Sequence, residues 1–301
     1  MKHAPRWTSW LVAATSLLIG ACTHARSRAA TQSALRVVAI DQKTSDQLPL
    51  RGLLATVLLS DPDVQLLVTP QARASQEAEA KLATLDTFAV ANDCDLVINT
   101  NYFAVTGPGK AQGYKAGVDA DILGLCVQDG NVISPARSFG GKGDPALLVF
   151  PDRRATIAQA LPEQCEGVKF AAAGIGASET DPDHGALLVS EGKSTAREAR
   201  VDPLIRHPRT AAGVSRDGRT LYLLVLDGRQ PDWSAGATLE ETATILRECG
   251  AWDAVNLDGG GSTMMLWKDP KTGEWRTNRP SGGAPRPVAA GLGIRIGRRG
   301  S

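Results

Sequence analysis

This chain of 301 residues contains four histidines, no C-x-x-C pair, no apolar run of membrane-spanning length and a formal charge of only +1. Each shortage removes a class of function. The histidines beyond the first residues are His24, His184 and His207, none at metal-ligand spacing from another, which disfavours a metal-dependent phosphodiesterase. Without a C-x-x-C pair a structural zinc site is not expected, and the sequence offers no metal ligand set. The charge balance leaves no basic stripe of the kind that binds a phosphate backbone, so nucleic acid is not an expected partner. One acidic stretch, Asp181, Asp183 and Gly185, has part of a calcium loop but lacks its later glutamate. A structural calcium is the only cofactor that stretch would permit, and no other cofactor is expected.

The longest apolar run near the start, Trp10 to Ile19, falls short of the roughly 20 residues that cross a bilayer core. Lys2 and Arg6 precede it and Gly20, Ala21 and Cys22 close it, the order of a secretory signal. The stretch from Leu18 to Cys22 resembles the bacterial lipoprotein box. It implies removal of residues 1–21 and lipidation of Cys22, hence an anchor in the cell envelope. Thr23 in place of an aspartate favours the outer membrane, facing the periplasm. Removal of Lys2 and Arg6 would leave 31 basic against 32 acidic residues. Residues 22–34, small and polar, read as a tether to a single domain over 35–298. Cys94, Cys126, Cys165 and Cys249 then remain, and export predicts two disulfides among them, with three pairings open.

Within the domain, short β-branched runs predict strands at Leu35–Ile40, Gly52–Leu59, Val64–Val68, Ile122–Val127, Ala146–Val149, Leu187–Ser190 and Thr220–Leu226. Two units read as helix then strand. In the first, Leu82, Leu85, Phe88 and Ala89 lie at helical spacing within Gln76–Asn92, and the strand Cys94–Ile98 follows. In the second, Thr238 and Glu241 form a capping box, Gly250 stops the helix, and Trp252–Leu257 is the strand. Each strand ends in polar residues, Asn99 in one case and Asn256 with Asp258 in the other, which suggests two strand ends converging on one cleft. Many strands and few helices predict an α+β fold, one domain with a mixed or antiparallel sheet core and a few flanking helices.

Four segments carry candidate chemistry. Asn256, Leu257, Asp258, Gly259, Gly260, Gly261, Ser262 and Thr263 place three glycines, free of Cβ, between polar residues, so their amides can close on an anion. The lysine of a P-loop is absent, and Thr263–Trp267 reads as a strand where a P-loop needs a helix. Arg206-His207-Pro208-Arg209 and Asp227-Gly228-Arg229 supply guanidinium forks that suit phosphate. Asn99-Thr100-Asn101-Tyr102-Phe103 sets amides and aromatic rings where a sugar is bound.

Together these segments, with Asn278-Arg279-Pro280-Ser281-Gly282-Gly283 and Arg286-Pro287-Val288-Ala289, resemble the phosphodiester glycosidase family over Leu85 to Ile296. The resemblance implies a hydrolase that cleaves the bond between a sugar's anomeric carbon and a phosphodiester, releasing sugar and a phosphomonoester. A carbohydrate phosphodiester would be its partner. Asp258 is then the expected nucleophile or general base and Asp227 the second carboxylate. Arg209 and Arg229 would hold the phosphate with the amides of Gly259 to Gly261, and Asn99, Asn101, Asn256, Ser262 and Thr263 would position the substrate. The alternative is a glycan-binding envelope lipoprotein without catalysis, for which two carboxylates have no evident use.

Overall fold

The computed structural model describes residues 33–161, 165–176, 187–199 and 201–297. Every strand pairing among them is antiparallel. A seven-stranded sheet runs in the order Leu35–Lys43, Pro49–Leu58, Thr220–Leu226, Arg209–Val214, Asp253–Asn256, Val189–Ser190, Lys193–Ser194. A five-stranded sheet runs Trp275–Thr277, Met265–Lys268, Leu96–Asn99, Gly291–Ile296, Val64–Thr69. A six-stranded sheet centred on Lys142–Val149 and a three-stranded sheet containing Asp119–Ile122 complete the fold. The α+β architecture expected from the strand-rich sequence is present.

Alternation along the strands explains how these sheets pack. In Thr220–Leu226, Leu221, Leu223 and Val225 enter the main core while Leu224 and Leu226 face the other way. That second face is covered by helix α2, Leu239–Glu248, through Leu239, Ala243 and Leu246. A strand buried on both faces reads as the unbroken apolar run observed here. In the five-stranded sheet Leu96 and Ile98 point to the same main core, and Val97 points to helix α1, Leu85–Ala91. Both sheets therefore share one core and carry a helix outside it.

The second helix starts as its sequence predicts. Thr238 Oγ1 accepts from the Glu241 amide at 3.2 Å, and Glu241 Oε2 accepts from the Thr238 amide at 3.0 Å. The cap residues stop where Gly250 adopts φ +102°. The first helix is shorter than its periodicity suggests. Leu82 packs in the main core and Leu85, Phe88 and Ala89 in the cluster beneath α1, so one apolar spacing serves two different surfaces. Ala80–Lys81 is instead a two-residue strand. The expected strand Ile122–Val127 is also divided, into Asp119–Ile122 and Cys126–Gln128, at Gly124 with φ +80°.

The two expected disulfides are not formed. Cys94, Cys126 and Cys249 are free thiols, and Cys165 Sγ lies 3.1 Å from the Leu161 carbonyl. The four cysteines pack in four different hydrophobic clusters. Cys22, the tether up to Gln32 and the Asp181-Asp183-Gly185 stretch lie outside the described residues. No described helix is long and apolar enough to cross a membrane.

Candidate active site

The two polar strand ends meet. Asn99 closes the strand Leu96–Asn99, and its side-chain amide donates to the Asp258 carbonyl at 2.5 Å. Its Oδ1 accepts from Thr210 Oγ1 and from the Met264 amide, both at 3.0 Å. The Asp258 amide donates in turn to the Thr100 carbonyl at 2.8 Å. These bonds stitch the five-stranded sheet to the seven-stranded one at the point where the glycine turn begins. Asn99, expected to position the substrate, is 1% exposed, and its hydrogen bonds within the fold hold the Asp258 main chain.

The other two asparagines also donate inward. Asn101 Nδ2 donates to the Leu123 and Leu125 carbonyls at 3.3 and 3.1 Å. Asn256 Nδ2 donates to the Tyr102 hydroxyl at 2.8 Å and the Leu257 carbonyl at 3.1 Å. The oxygens left over are informative. Thr100 Oγ1, Asn101 Oδ1, Asn256 Oδ1 and Thr263 Oγ1 are buried without a hydrogen-bond partner, and all four lie on the segments that converge at Asp258. Unpartnered buried oxygens are uncommon in folded proteins and fit a region that takes in water or ligand hydroxyls.

The three glycines of the turn have three separate reasons. A Cβ on Gly259 would stand 2.7 Å from the Pro208 carbonyl oxygen, and Gly260 has φ +60°. A Cβ on Gly261 would fall 2.1 Å from the Arg286 guanidinium, so that position must be empty for the arginine to lie against the turn. The Arg229 guanidinium lies against Gly260 in a similar way, 3.2 Å from where a Cβ would be. The Gly260 amide is bonded to the Pro208 carbonyl at 2.8 Å, and the Ser262 and Thr263 amides close the turn on Gly259 and Gly260. Of the three glycine amides, those of Gly259 and Gly261 are the ones without an acceptor among the described residues.

Electrostatics separates the candidate charges. Asp258 is open to solvent on one side yet enclosed by protein, and this burial pushes its carboxyl up to about 7. The Ser262 hydroxyl and the Arg286 charge pull the other way. Asp227 is 2% exposed and saturated, with Oδ2 accepting from Trp233 Nε1 at 2.8 Å and Oδ1 from Asn278 Nδ2 at 2.9 Å and the Arg279 amide at 3.1 Å. Burial raises its carboxyl too, against those three donors. The second carboxylate of the sequence reading thus joins the 227 turn to the 278–279 segment.

Arg209, expected to hold the phosphate, is engaged by the main chain. Its guanidinium donates to the carbonyls of Ala237, Val201, Asp202 and Ile205 at 3.0, 3.1, 2.8 and 2.7 Å. Four of its five N–H groups are spent on main chain, and it clamps the 201–205 loop. Arg229 is exposed, at φ +59°, with Nη2 3.3 Å from His207 Nδ1. Burial and the adjacent Arg209 lower the His207 pKa, so the ring is neutral at pH 7 and Nδ1 can accept from Arg229. The site thus gathers Asp258, Ser262 and the glycine turn beneath the Arg229 and Arg286 guanidinium groups.

Sequence comparison decides what group of proteins shares this arrangement: the phosphodiester glycosidase profile matches residues 92–295. The chain belongs to the phosphodiester glycosidase family. No curated protein sequence matches it. Among solved structures it is similar to the catalytic domain of zebrafish N-acetylglucosamine-1-phosphodiester alpha-N-acetylglucosaminidase, auto-inhibited by its pro-peptide, with a TM-score of 0.60 at 18% identity over 90% of this chain and 85% of that one. A hypothetical Synechocystis protein gives 0.57 at 16% identity over 87% of this chain and 62% of that one. An exported protein from Burkholderia pseudomallei gives 0.55 at 17% identity over 83% and 74%. At these identities the likeness is one of fold.

For this family member the sequence left Arg286 and Tyr114 out of the candidate site. Arg286 stands 4.4 Å over the Tyr114 ring, and Tyr114 packs edge-on against Phe103 with ring centroids 5.8 Å apart. Arg286 had a signal, its place in the closing segment. Tyr114 had none, because a lone aromatic in a glycine-rich loop has no periodic partner. Among the described residues no group of three or more His, Cys, Asp or Glu side chains gathers to hold a metal.

Proposed function

We propose that this family member hydrolyses the bond between the anomeric carbon of a sugar and the phosphate of a phosphodiester. The observation that carries the reading is the Asp258 carboxyl, raised to about 7, directly before a glycine turn overlaid by Arg229 and Arg286. The guanidinium forks and the Gly261 amide would hold the phosphate oxygens as charge develops on them. A phosphate is already a weak base, so its departure calls for charge stabilisation more than for a strong general acid. Asp258 therefore acts in its ionised form, as a nucleophile or as the base that takes a proton from attacking water. The anomeric C–O bond breaks with its electron pair on the phosphate oxygen, giving free sugar and a phosphomonoester.

The test is incubation of the purified soluble domain with a sugar-1-phosphodiester, following reducing sugar. Release that disappears in Asp258→Asn supports the reading. A protein that binds the sugar phosphodiester without releasing sugar would be a glycan-binding module instead. We propose, in addition, that Cys22 is lipidated and holds the enzyme in the cell envelope, from the Leu18 to Cys22 box. Cys22→Ala should shift the protein out of the membrane fraction, and undiminished membrane association would refute the anchor.

A further inference from the structure

Tyr102 stands next to the proposed reacting group with its hydrogen-bonding direction already decided. Asn256 is the last residue of the strand Asp253–Asn256, and Asp258 follows two residues later at the start of the glycine turn. Asn256 Nδ2 makes two contacts, to the Tyr102 hydroxyl at 2.8 Å and to the Leu257 carbonyl at 3.1 Å. A carbonyl can only accept, so the atom facing it must be the amide nitrogen, and the amide cannot be turned over without setting two oxygens against each other. Nδ2 consequently donates to Tyr102. The phenolic oxygen has accepted one bond, and its own proton has no acceptor in the described structure.

The phenol also keeps that proton. Burial drives its pKa far above the ordinary tyrosine range, and the Asp258 charge pushes in the same direction. The Asn256 donor, the Arg209 charge and the more distant Asp202 are the other groups that bear on it. The Ser262 hydroxyl and the Arg286 charge are the groups that favour the ionised Asp258 carboxyl.

We propose that Tyr102 is a specificity-determining residue whose hydroxyl, oriented by Asn256, donates to an oxygen on the sugar carbon beside the anomeric centre. This rests on reading the site as one for sugar phosphodiesters. If Asp258 works at the anomeric carbon, the substituent on the neighbouring carbon is the acceptor a hydroxyl held by Asn256, two residues before Asp258, is placed to meet. Hydrogen bonds to that substituent are also the ones that strengthen in a glycosidic transition state.

The test compares a glucosyl phosphodiester with its 2-deoxyglucosyl counterpart, which differ by one hydroxyl. Two readouts are taken: kcat/KM, and the affinity for the corresponding sugar 1-phosphates by calorimetry, which needs no turnover. Wild-type protein should prefer the hydroxylated member of each pair, and Tyr102→Phe should reduce that preference by roughly 10- to 100-fold. Asn256→Asp should do the same with the tyrosine intact, because a carboxylate would accept the phenolic proton and turn it away from the substrate. A ratio between two ligands within one variant does not depend on how much of that variant is folded. Equal preference in wild-type protein, or a preference untouched by both substitutions, overturns the assignment of Tyr102. Preference in binding without any hydrolysis supports Tyr102 and sinks the hydrolase reading alone.

Discussion

Asp227 follows the strand Thr220–Leu226 and Asp258 follows the strand Asp253–Asn256; each precedes a glycine, and burial raises the carboxyl of each. Their surroundings differ in what is left over. Asp227 receives three hydrogen bonds from Trp233, Asn278 and Arg279, and Trp233 is itself covered by the Arg51 guanidinium at 4.1 Å. Asp258 is set among two arginines and a glycine turn in which the Gly259 and Gly261 amides have no acceptor among the described residues. The arginines divide in the same way: Arg209 is consumed by four carbonyls, and Arg286 rests on a turn and an aromatic ring. A charged group that the fold has saturated holds structure together, and one that is desolvated but unsaturated is available for chemistry.

The strongest way to break this contrast is Asp258→Asn. Turnover should fall by roughly 10²- to 10⁴-fold, the span of a positioned acid–base group. The same variant should be more stable at neutral pH. A carboxyl at about 7 in the folded chain ionises far earlier when unfolded, so wild-type stability falls as pH rises from about 4 to about 7. Removing the charge should recover on the order of 2–4 kcal/mol at pH 7 and flatten that slope. Chemical denaturation at pH 5 and pH 7 measures it. Wild-type kcat should climb over the same interval as Asp258 ionises, and a falling profile would assign Asp258 the role of acid.

Asp227→Ala should give the opposite result, a loss of roughly 2–4 kcal/mol from three donors left without their charged acceptor. Whatever remains folded should retain kcat. Denaturant midpoints and single-turnover kinetics separate the two effects, and a kcat loss as deep as that of Asp258→Asn at undiminished stability would return Asp227 to the chemistry.

A smaller effect sharpens the arginine contrast. Arg286→Lys keeps charge but loses the planar fork, and should lower kcat/KM on a phosphodiester by roughly 10- to 100-fold. The loss should shrink on an activated aryl glycoside, which carries no phosphate. Arg209→Lys should instead affect both substrates alike and lower the melting temperature, because one ammonium cannot reach four carbonyls. A substrate-dependent loss at Arg209 and a uniform one at Arg286 would reverse their roles.

Much of this protein was readable as local pattern. The capping box at Thr238, the doubly buried run of Thr220–Leu226 and the glycine turn depend on neighbours close in the chain or on alternation, which a sequence displays directly, and the polar strand ends at Asn99 and Asp258, 159 residues apart, were legible as a pair of like units. The family resemblance came from the order of those same segments. What the sequence could not display was occupancy. Whether an arginine is free or spent depends on carbonyls brought from elsewhere, as Ala237 is brought to Arg209, and whether a carboxylate is saturated depends on Asn278, 51 residues away. Cysteine count and compartment suggested bridges, but no disulfide is present among the described residues. Residue types and spacing are properties of the chain alone; hydrogen-bond saturation and desolvation are properties of the packed sheets, and here they set Asp258 and Arg286 apart from Asp227 and Arg209.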